Sequence, residues 1–305
     1  MAGAGPKARR LAGVAAGLIA VAAAVSVFAQ QTAPQGQPAP SQGAPARAAR
    51  PPEPPMAMSA AVAAFDKDGP LKTMGRLEGP DCTIFRPETL TGKSPIVLWG
   101  NGTGQTPARY AQMLNQLATN GFVVAAANTT NPGDATQMLA CLDYLTAQNG
   151  TAGSLYEGKL DLTRVGASGH SQGGGGAIMA GRDARIKTTA PIMPYTIGLR
   201  YVDGAQALQH GPMFMLSGGN DTIAVPARNQ HPVFDTANVP IFWATLVGAS
   251  HLVPMQPDSG PYRPVMIAWF RYQLMGDAAA GRLFVGPMCG LCTASDWTVQ
   301  RKGGA

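Results

Sequence analysis

From Ser94 onward, short runs of apolar and β-branched residues alternate with longer amphipathic stretches. That alternation predicts a mostly parallel sheet covered by helices, an α/β architecture. Strands are expected at Pro95–Gly100, Gly121–Ala127, Leu162–Ser168, Thr188–Met193, Met213–Ser217 and Pro240–Val247. Helices are expected at Pro107–Asn120, Asp134–Gln148, from Ser171 to Gly181, and at Tyr262–Met275. No internal repeat interrupts the order. A chain of 305 residues with 45% hydrophobic content can bury one substantial core, and one domain, 59–305, is expected to hold it.

The first fifth of the chain follows a different pattern. Lys7, Arg9 and Arg10 precede an apolar, alanine-rich run from Leu11 to Ala29, which ends on small residues in Val27-Phe28-Ala29. This is the pattern of a secretory signal peptide, 1–29, cut after Ala29. The run is nearly long enough to span a bilayer, so an uncleaved anchor is the alternative. Residues 30–58 are rich in Pro, Ala and Gln, a composition that buries too little apolar surface to offset ordering entropy, and they read as a disordered linker. Secretion or a periplasmic location follows from the leader.

The net charge of +6 changes the picture only by where it sits. Lys7, Arg9, Arg10, Arg47 and Arg50 face a single Glu53 ahead of the expected catalytic region, so most of the excess lies outside it. No Lys/Arg cluster interleaved with aromatics follows, and nucleic acid is not an expected partner. The four cysteines Cys82, Cys141, Cys289 and Cys292 point to disulfides in an exported chain. Sequence alone allows three pairings; Cys289–Cys292 with Cys82–Cys141 is the preferred one. Cys289 and Cys292 also have the spacing of half a zinc site, but no second Cys or His pair completes it, so no metal is expected.

Gly169-His170-Ser171-Gln172-Gly173 fits G-x-S-x-G, the sharp strand-to-helix turn that lifts a serine hydroxyl above a sheet edge. Glycine is common here, at 38 residues, so the pattern carries weight only through its context. An apolar strand enters it, and a small-residue helix beginning Gly174-Gly175-Gly176 leaves it, as the turn requires. A serine hydroxyl is a poor nucleophile until an imidazole takes its proton, and the imidazole needs a carboxylate to fix its tautomer. Asp221 follows the strand Met213–Ser217 through Gly218-Gly219-Asn220, and His251 follows Pro240–Val247 through Gly248-Ala249-Ser250. Both therefore fall in loops at carboxyl ends of strands, where open α/β sheets build their sites. Ser171 is the expected nucleophile, His251 the general base and Asp221 the orienting acid. Among rival residues, His170 lies inside the turn and is expected to pack beneath it. His210 precedes a strand, His231 is followed by Pro232, Asp203 comes too early, and Asp235 lies before a strand.

The stretch from Gly102 to Leu145, the turn Gly169–Gly176, Gly219-Asn220-Asp221-Thr222-Ile223-Ala224 and Gly248-Ala249-Ser250-His251 resemble bacterial cutinases and polyester hydrolases of the α/β-hydrolase superfamily. The resemblance covers roughly residues 65–280 and implies the α/β-hydrolase fold, ester hydrolysis and the same Ser171, Asp221 and His251. It also implies an oxyanion hole from the backbone N–H groups of Gln172 and of Thr103, in the loop Asn101-Gly102-Thr103-Gly104. Three positions depart from the family. Thr103 replaces an aromatic, Gln172 replaces a methionine, and Tyr195 stands for a tryptophan as a substrate contact. Backbone donors survive these changes, while the aromatic clamp thins. The segment between Met193 and Met213 is too short for a cap domain, so an open cleft is expected. The expected partner is an ester or polyester substrate, with no cofactor and no stable membrane association once the leader is cut, and the chain is expected to act as a monomer. Other acyl substrates, such as acetylated polysaccharides or small esters, and a noncatalytic binding role are the competing readings.

Overall fold

The computed structural model describes residues 55–303; the expected leader and most of the expected linker lie outside them. One nine-stranded sheet organises these residues, in the order β1-β2-β4-β3-β5-β6-β7-β8-β9. Its strands are β1 Thr73–Glu78, β2 Cys82–Pro87, β3 Ser94–Gly100, β4 Val123–Ala127, β5 Leu160–His170, β6 Ile186–Ile192, β7 Met213–Gly218, β8 Ile241–Leu246 and β9 Trp297–Lys302. Strands β3 to β8 pair in parallel, while β1, β2 and β9 add antiparallel edges.

The expected central strands are all present, within a few residues of their expected ends. The antiparallel strands β1, β2 and β9 were not expected. β1 and β9 lie at the edges of the sheet and carry charged residues at exposed positions, because an edge strand with a solvated face lacks the apolar run of a strand covered on both sides. The expected helix Pro107–Asn120 divides into a 3-10 turn at Pro107–Tyr110 and a helix at Ala111–Thr119. Tyr110 is fully buried and its ring packs 5.0 Å from that of Trp99, and this contact coincides with the change of helical type.

Helices are α1 Ala60–Ala63, α2 Ala111–Thr119, α3 Thr136–Asn149, α4 Gln172–Ala180, α5 Pro226–Asn229, α6 His231–Thr236, α7 Tyr262–Met275 and α8 Ala278–Gly281. Strand alternation divides the core into two layers. Val97 and Trp99 of β3 join the cluster that includes Leu114 and Leu117 of α2 and Val265 and Trp269 of α7. Ile96 and Leu98 join the opposite cluster, with Leu142 and Leu145 of α3 and Ile178 of α4. Burying Val, Leu or Phe side chains in these layers stabilises the fold by about 1.5–3 kcal/mol each. Disulfides join Cys82 to Cys141 and Cys289 to Cys292, the preferred pairing. The first ties β2 to α3, and the second closes a short loop before β9. No helix among the described residues is long and apolar enough to cross a membrane.

The order of strands sets the position of the site. The chain runs from β3 to β4 on one side and returns to β5 on the other, so the loops leaving β3 and β5 diverge at a topological switch point. Gly100 and Gly169 are register partners at the ends of β3 and β5. The Asn101–Gly104 loop and Ser171 therefore emerge side by side.

Candidate active site

Ser171 sits between β5 and α4 with φ 57° and ψ −120°, a conformation that is strained for any residue but glycine. Its surroundings hold it there. The Ser171 N–H donates to the Ile192 carbonyl at 3.0 Å, and its carbonyl accepts from Tyr195 N at 2.9 Å and Gly175 N at 3.1 Å. The two glycines of the turn are required by close approach. A Cβ on Gly169 would lie 2.2 Å from the Gly173 carbonyl oxygen, and one on Gly173 would lie 2.0 Å from that of Gly100.

A continuous chain of polar contacts runs from this serine. His251 Nε2 lies 2.8 Å from Ser171 Oγ, and His251 Nδ1 lies 2.7 Å from Asp221 Oδ2. The other carboxylate oxygen of Asp221 accepts from Ile223 N and Ala224 N, each at 2.8 Å. These two backbone donors fix the carboxylate, which is acceptor-only when ionised and so selects the tautomer with its proton on Nδ1. Nε2 is then left with its lone pair toward the serine hydroxyl. The side chains of His251 and Asp221 are 6% and 1% exposed, so little bulk water competes for these bonds. The structure thus brings together the three residues expected from sequence, and it places His210 and His231 elsewhere. His210 Nε2 contacts the Arg182 carbonyl at 3.1 Å on the surface, and the His231 ring lies 4.8 Å from that of Trp243.

Gln172 is the first residue of α4, and Thr103 lies in the adjacent loop, its hydroxyl donating to Gln172 Oε1 at 3.0 Å. Among the described residues no protein acceptor takes the backbone N–H of either Thr103 or Gln172. One of these uncommitted N–H groups lies on the Asn101–Gly104 loop and the other opens α4 directly after Ser171, and free backbone donors are the kind of group a developing oxyanion requires. Tyr195 is half-buried, with its backbone bonded to Ser171. The flanking loops expose Ile197, Leu199 and Ile223, three apolar residues not singled out from sequence. Their position in loops that also carry Tyr195 and Asp221 was the available signal.

Two further residues escaped the sequence reading as partners of the site. His170 is buried, with Nδ1 3.0 Å from the Tyr110 hydroxyl and Nε2 3.0 Å from the His251 carbonyl oxygen. The Tyr110 oxygen in turn accepts from Gly102 N at 3.1 Å. Burial first, and the nearby His251 second, hold the His170 pKa well below the usual histidine value. Burial also pushes Tyr110 up to about 12. A neutral imidazole and a protonated phenol therefore link the loop of Gly102 to the loop of His251. Among the described residues no group of three or more His, Cys, Asp or Glu is placed to hold a metal ion.

A parallel sheet with antiparallel edges, a strained serine between strand and helix, and an acid and a histidine on the loops after β7 and β8 define an α/β-hydrolase fold. Within that class the chain belongs to the PET hydrolase-like family, whose model matches residues 44–292. It is 28% identical over 180 residues to cutinase est2 of Thermobifida alba, a match covering 56% of this chain and 57% of that protein. It is 27% identical over 199 residues to cutinase 2 of Thermobifida cellulosilytica, covering 62% of this chain and 71% of the relative. A bis(hydroxyethyl) terephthalate hydrolase of Streptomyces coelicolor is 29% identical over 159 residues, covering 50% of this chain and 48% of the relative. The chain thus spans little more than half the length of the first of these relatives.

Proposed function

We propose that this chain is a serine carboxylic-ester hydrolase that cleaves cutin-like, polyester or short-chain esters through an acyl-enzyme on Ser171. The observation that carries this reading is the unbroken contact from Ser171 Oγ through His251 to Asp221, at 2.8 and 2.7 Å. His251 Nε2 takes the hydroxyl proton as Ser171 Oγ attacks the ester carbonyl carbon, and Asp221 stabilises the imidazolium that forms. Backbone N–H groups of Thr103 and Gln172 receive the carbonyl oxygen as it becomes anionic. Collapse of the tetrahedral intermediate expels the alcohol, which takes its proton from His251. Water, deprotonated by the same imidazole, then attacks the acyl-serine and releases the acid.

Tyr195, Ile197 and Ile223 supply apolar contact for an acyl chain, and the exposure of the two isoleucines, 43% and 53%, favours a substrate that lies along an open surface. The names of the relatives, cutinases and a terephthalate ester hydrolase, support the same substrate class. Export is part of the proposal. A cleaved leader at 1–29, a linker at 30–58 and a catalytic domain from residue 59 fit two disulfides, which persist in oxidising compartments. The enzyme is proposed to act as a monomer without cofactor.

The test is hydrolysis of p-nitrophenyl esters from acetate to palmitate, and of a suspended aliphatic polyester, by the parent and its Ser171→Ala variant. Turnover by the parent and its loss in the variant are expected, with chain length and polymer release choosing among ester classes. A parent inactive on every ester would overturn the reading.

A further inference from the structure

One side chain next to the nucleophile makes more contacts than the proposed mechanism asks of it. Gln172 is 1% exposed, and its amide is fully engaged. Oε1 accepts from the Thr103 hydroxyl at 3.0 Å, and Nε2 donates to Leu199 O at 3.0 Å and to Asn131 Oδ1. Thr103 follows β3, Asn131 follows β4, and Leu199 follows β6. A single amide on the first turn of α4 thus draws in three strand-end loops. The assignment of its oxygen and nitrogen is fixed by the Leu199 carbonyl, which can only accept and so faces Nε2, leaving Oε1 to accept from the Thr103 hydroxyl.

Two of these loops are hydrogen-bonded turns to which the amide adds a side-chain tie. The loop at Thr103 has no regular structure and turns at Gly104 with φ 73°. Backbone bonds close the turn around it, from Gln105 N to Gly102 O and from Gly104 N to Thr130 O, each at 2.9 Å, and the hydroxyl of Thr103 adds a side-chain tie across to α4. Leu199 and Arg200 both adopt left-handed conformations, with φ 48° and 71°, which non-glycine residues hold only under restraint. The Tyr201 N to Gly198 O bond at 2.9 Å, the Gln172 bond to Leu199 O and the Arg200–Asp134 ion pair at 3.0 Å together supply that restraint.

We propose that the Thr103 hydroxyl and the Gln172 amide are a positioning pair that sets the oxyanion hole, fixing by a side-chain bond the two residues whose backbone N–H groups receive the oxyanion. The proposal rests on the ester-hydrolase reading. An aromatic and a methionine at these positions, as in the polyester hydrolases the sequence resembles, have no hydroxyl-to-amide bond to make. This chain therefore orders the hole by a different chemical means.

The experiment compares Thr103→Val, Thr103→Ser, Gln172→Met and the Thr103→Val/Gln172→Met double variant with the parent and Ser171→Ala. Each is assayed on p-nitrophenyl butyrate, for inhibition by a short alkyl boronic acid, and for melting temperature. A boronic acid forms a tetrahedral adduct on an active serine, so its affinity reads the oxyanion hole and not overall stability. Thr103→Val keeps the backbone N–H and the side-chain shape, and is expected to lower kcat and boronate affinity together by about tenfold, with KM within about twofold. Its melting temperature stays near that of the parent, since Thr103 is exposed. Thr103→Ser, which restores the hydroxyl, recovers most of the loss. The double variant is no slower than Gln172→Met alone, because the partner is already gone. If Ser171→Ala is inactive while Thr103→Val matches the parent in both rate and boronate affinity, the positioning role is overturned and the ester-hydrolase reading stands. Equal losses in Thr103→Val and Thr103→Ser overturn it as well. Activity surviving in Ser171→Ala overturns the underlying reading and this proposal with it.

Discussion

Acid should destabilise this protein through one histidine that takes no part in proton transfer. His170 is 1% exposed, with the Tyr110 hydroxyl at Nδ1 and the His251 carbonyl at Nε2. The Tyr110 oxygen already accepts from Gly102 N, and its pKa of about 12 keeps its proton in place. That proton points to Nδ1, so Nε2–H donates to the His251 carbonyl and the neutral ring is fully satisfied. A second proton on Nδ1 would displace the tyrosine donor and bury a charge. The folded-state pKa is accordingly held well below its ordinary 6.5, and an unfolded chain binds this proton first. Stability from His170 is therefore complete above about pH 6.5 and falls as pH drops toward the folded-state value. While the folded ring stays neutral, each further unit of pH below 6.5 removes roughly 1 kcal/mol of stability. Urea unfolding between pH 4.5 and 8 measures this, and the buried Trp99, Trp243, Trp269 and Trp297 report it by fluorescence. His170→Gln, which keeps a donor toward the His251 carbonyl, should start less stable and lose stability with a shallower slope below pH 6.5. Parallel slopes in parent and variant would refute the argument.

Two other perturbations follow from distances in the fold. In Gly173→Ala the new methyl would lie 2.0 Å from the Gly100 oxygen and 2.5 Å from that of Asn101. Displacing the loop of Thr103 by even about 1 Å is expected to lower kcat/KM for p-nitrophenyl butyrate by about 100-fold, and a rate near that of the parent would count against the packing described. Replacing Cys82 and Cys141 by alanine opens a link across 59 residues, while replacing Cys289 and Cys292 opens one across 3. Loop-closure entropy predicts losses of about 4 and about 1.5 kcal/mol respectively, so urea midpoints that drop equally would contradict it.

How much of this was legible in the chain depended on whether the cause was local. Strands β3 to β8 were visible because a sheet covered on both faces demands unbroken apolar runs, such as Ile96-Val97-Leu98-Trp99. Ser171 was visible because its strained turn requires small neighbours, and Asp221 and His251 because each follows a strand. β1 and β9 were not, since an exposed edge tolerates Arg76, Glu78, Arg301 and Lys302. Contacts between distant residues also left no trace. Gln172 reads as a substituted methionine until the fold brings Asn131 and Leu199 to it. His170 lies 60 residues from Tyr110 and 81 from His251, separations that no sequence period encodes.

The most direct test of the account is covalent. An activated phosphonate ester carrying a p-nitrophenyl group mimics the first step, in which a serine oxygen attacks and p-nitrophenolate leaves. Peptide mass spectrometry of the labelled protein should place one phosphonyl group on Ser171, in step with the loss of esterase activity, and none on the Ser171→Ala variant. Labelling at another residue, or equal labelling of the variant, would contradict Ser171 as the nucleophile.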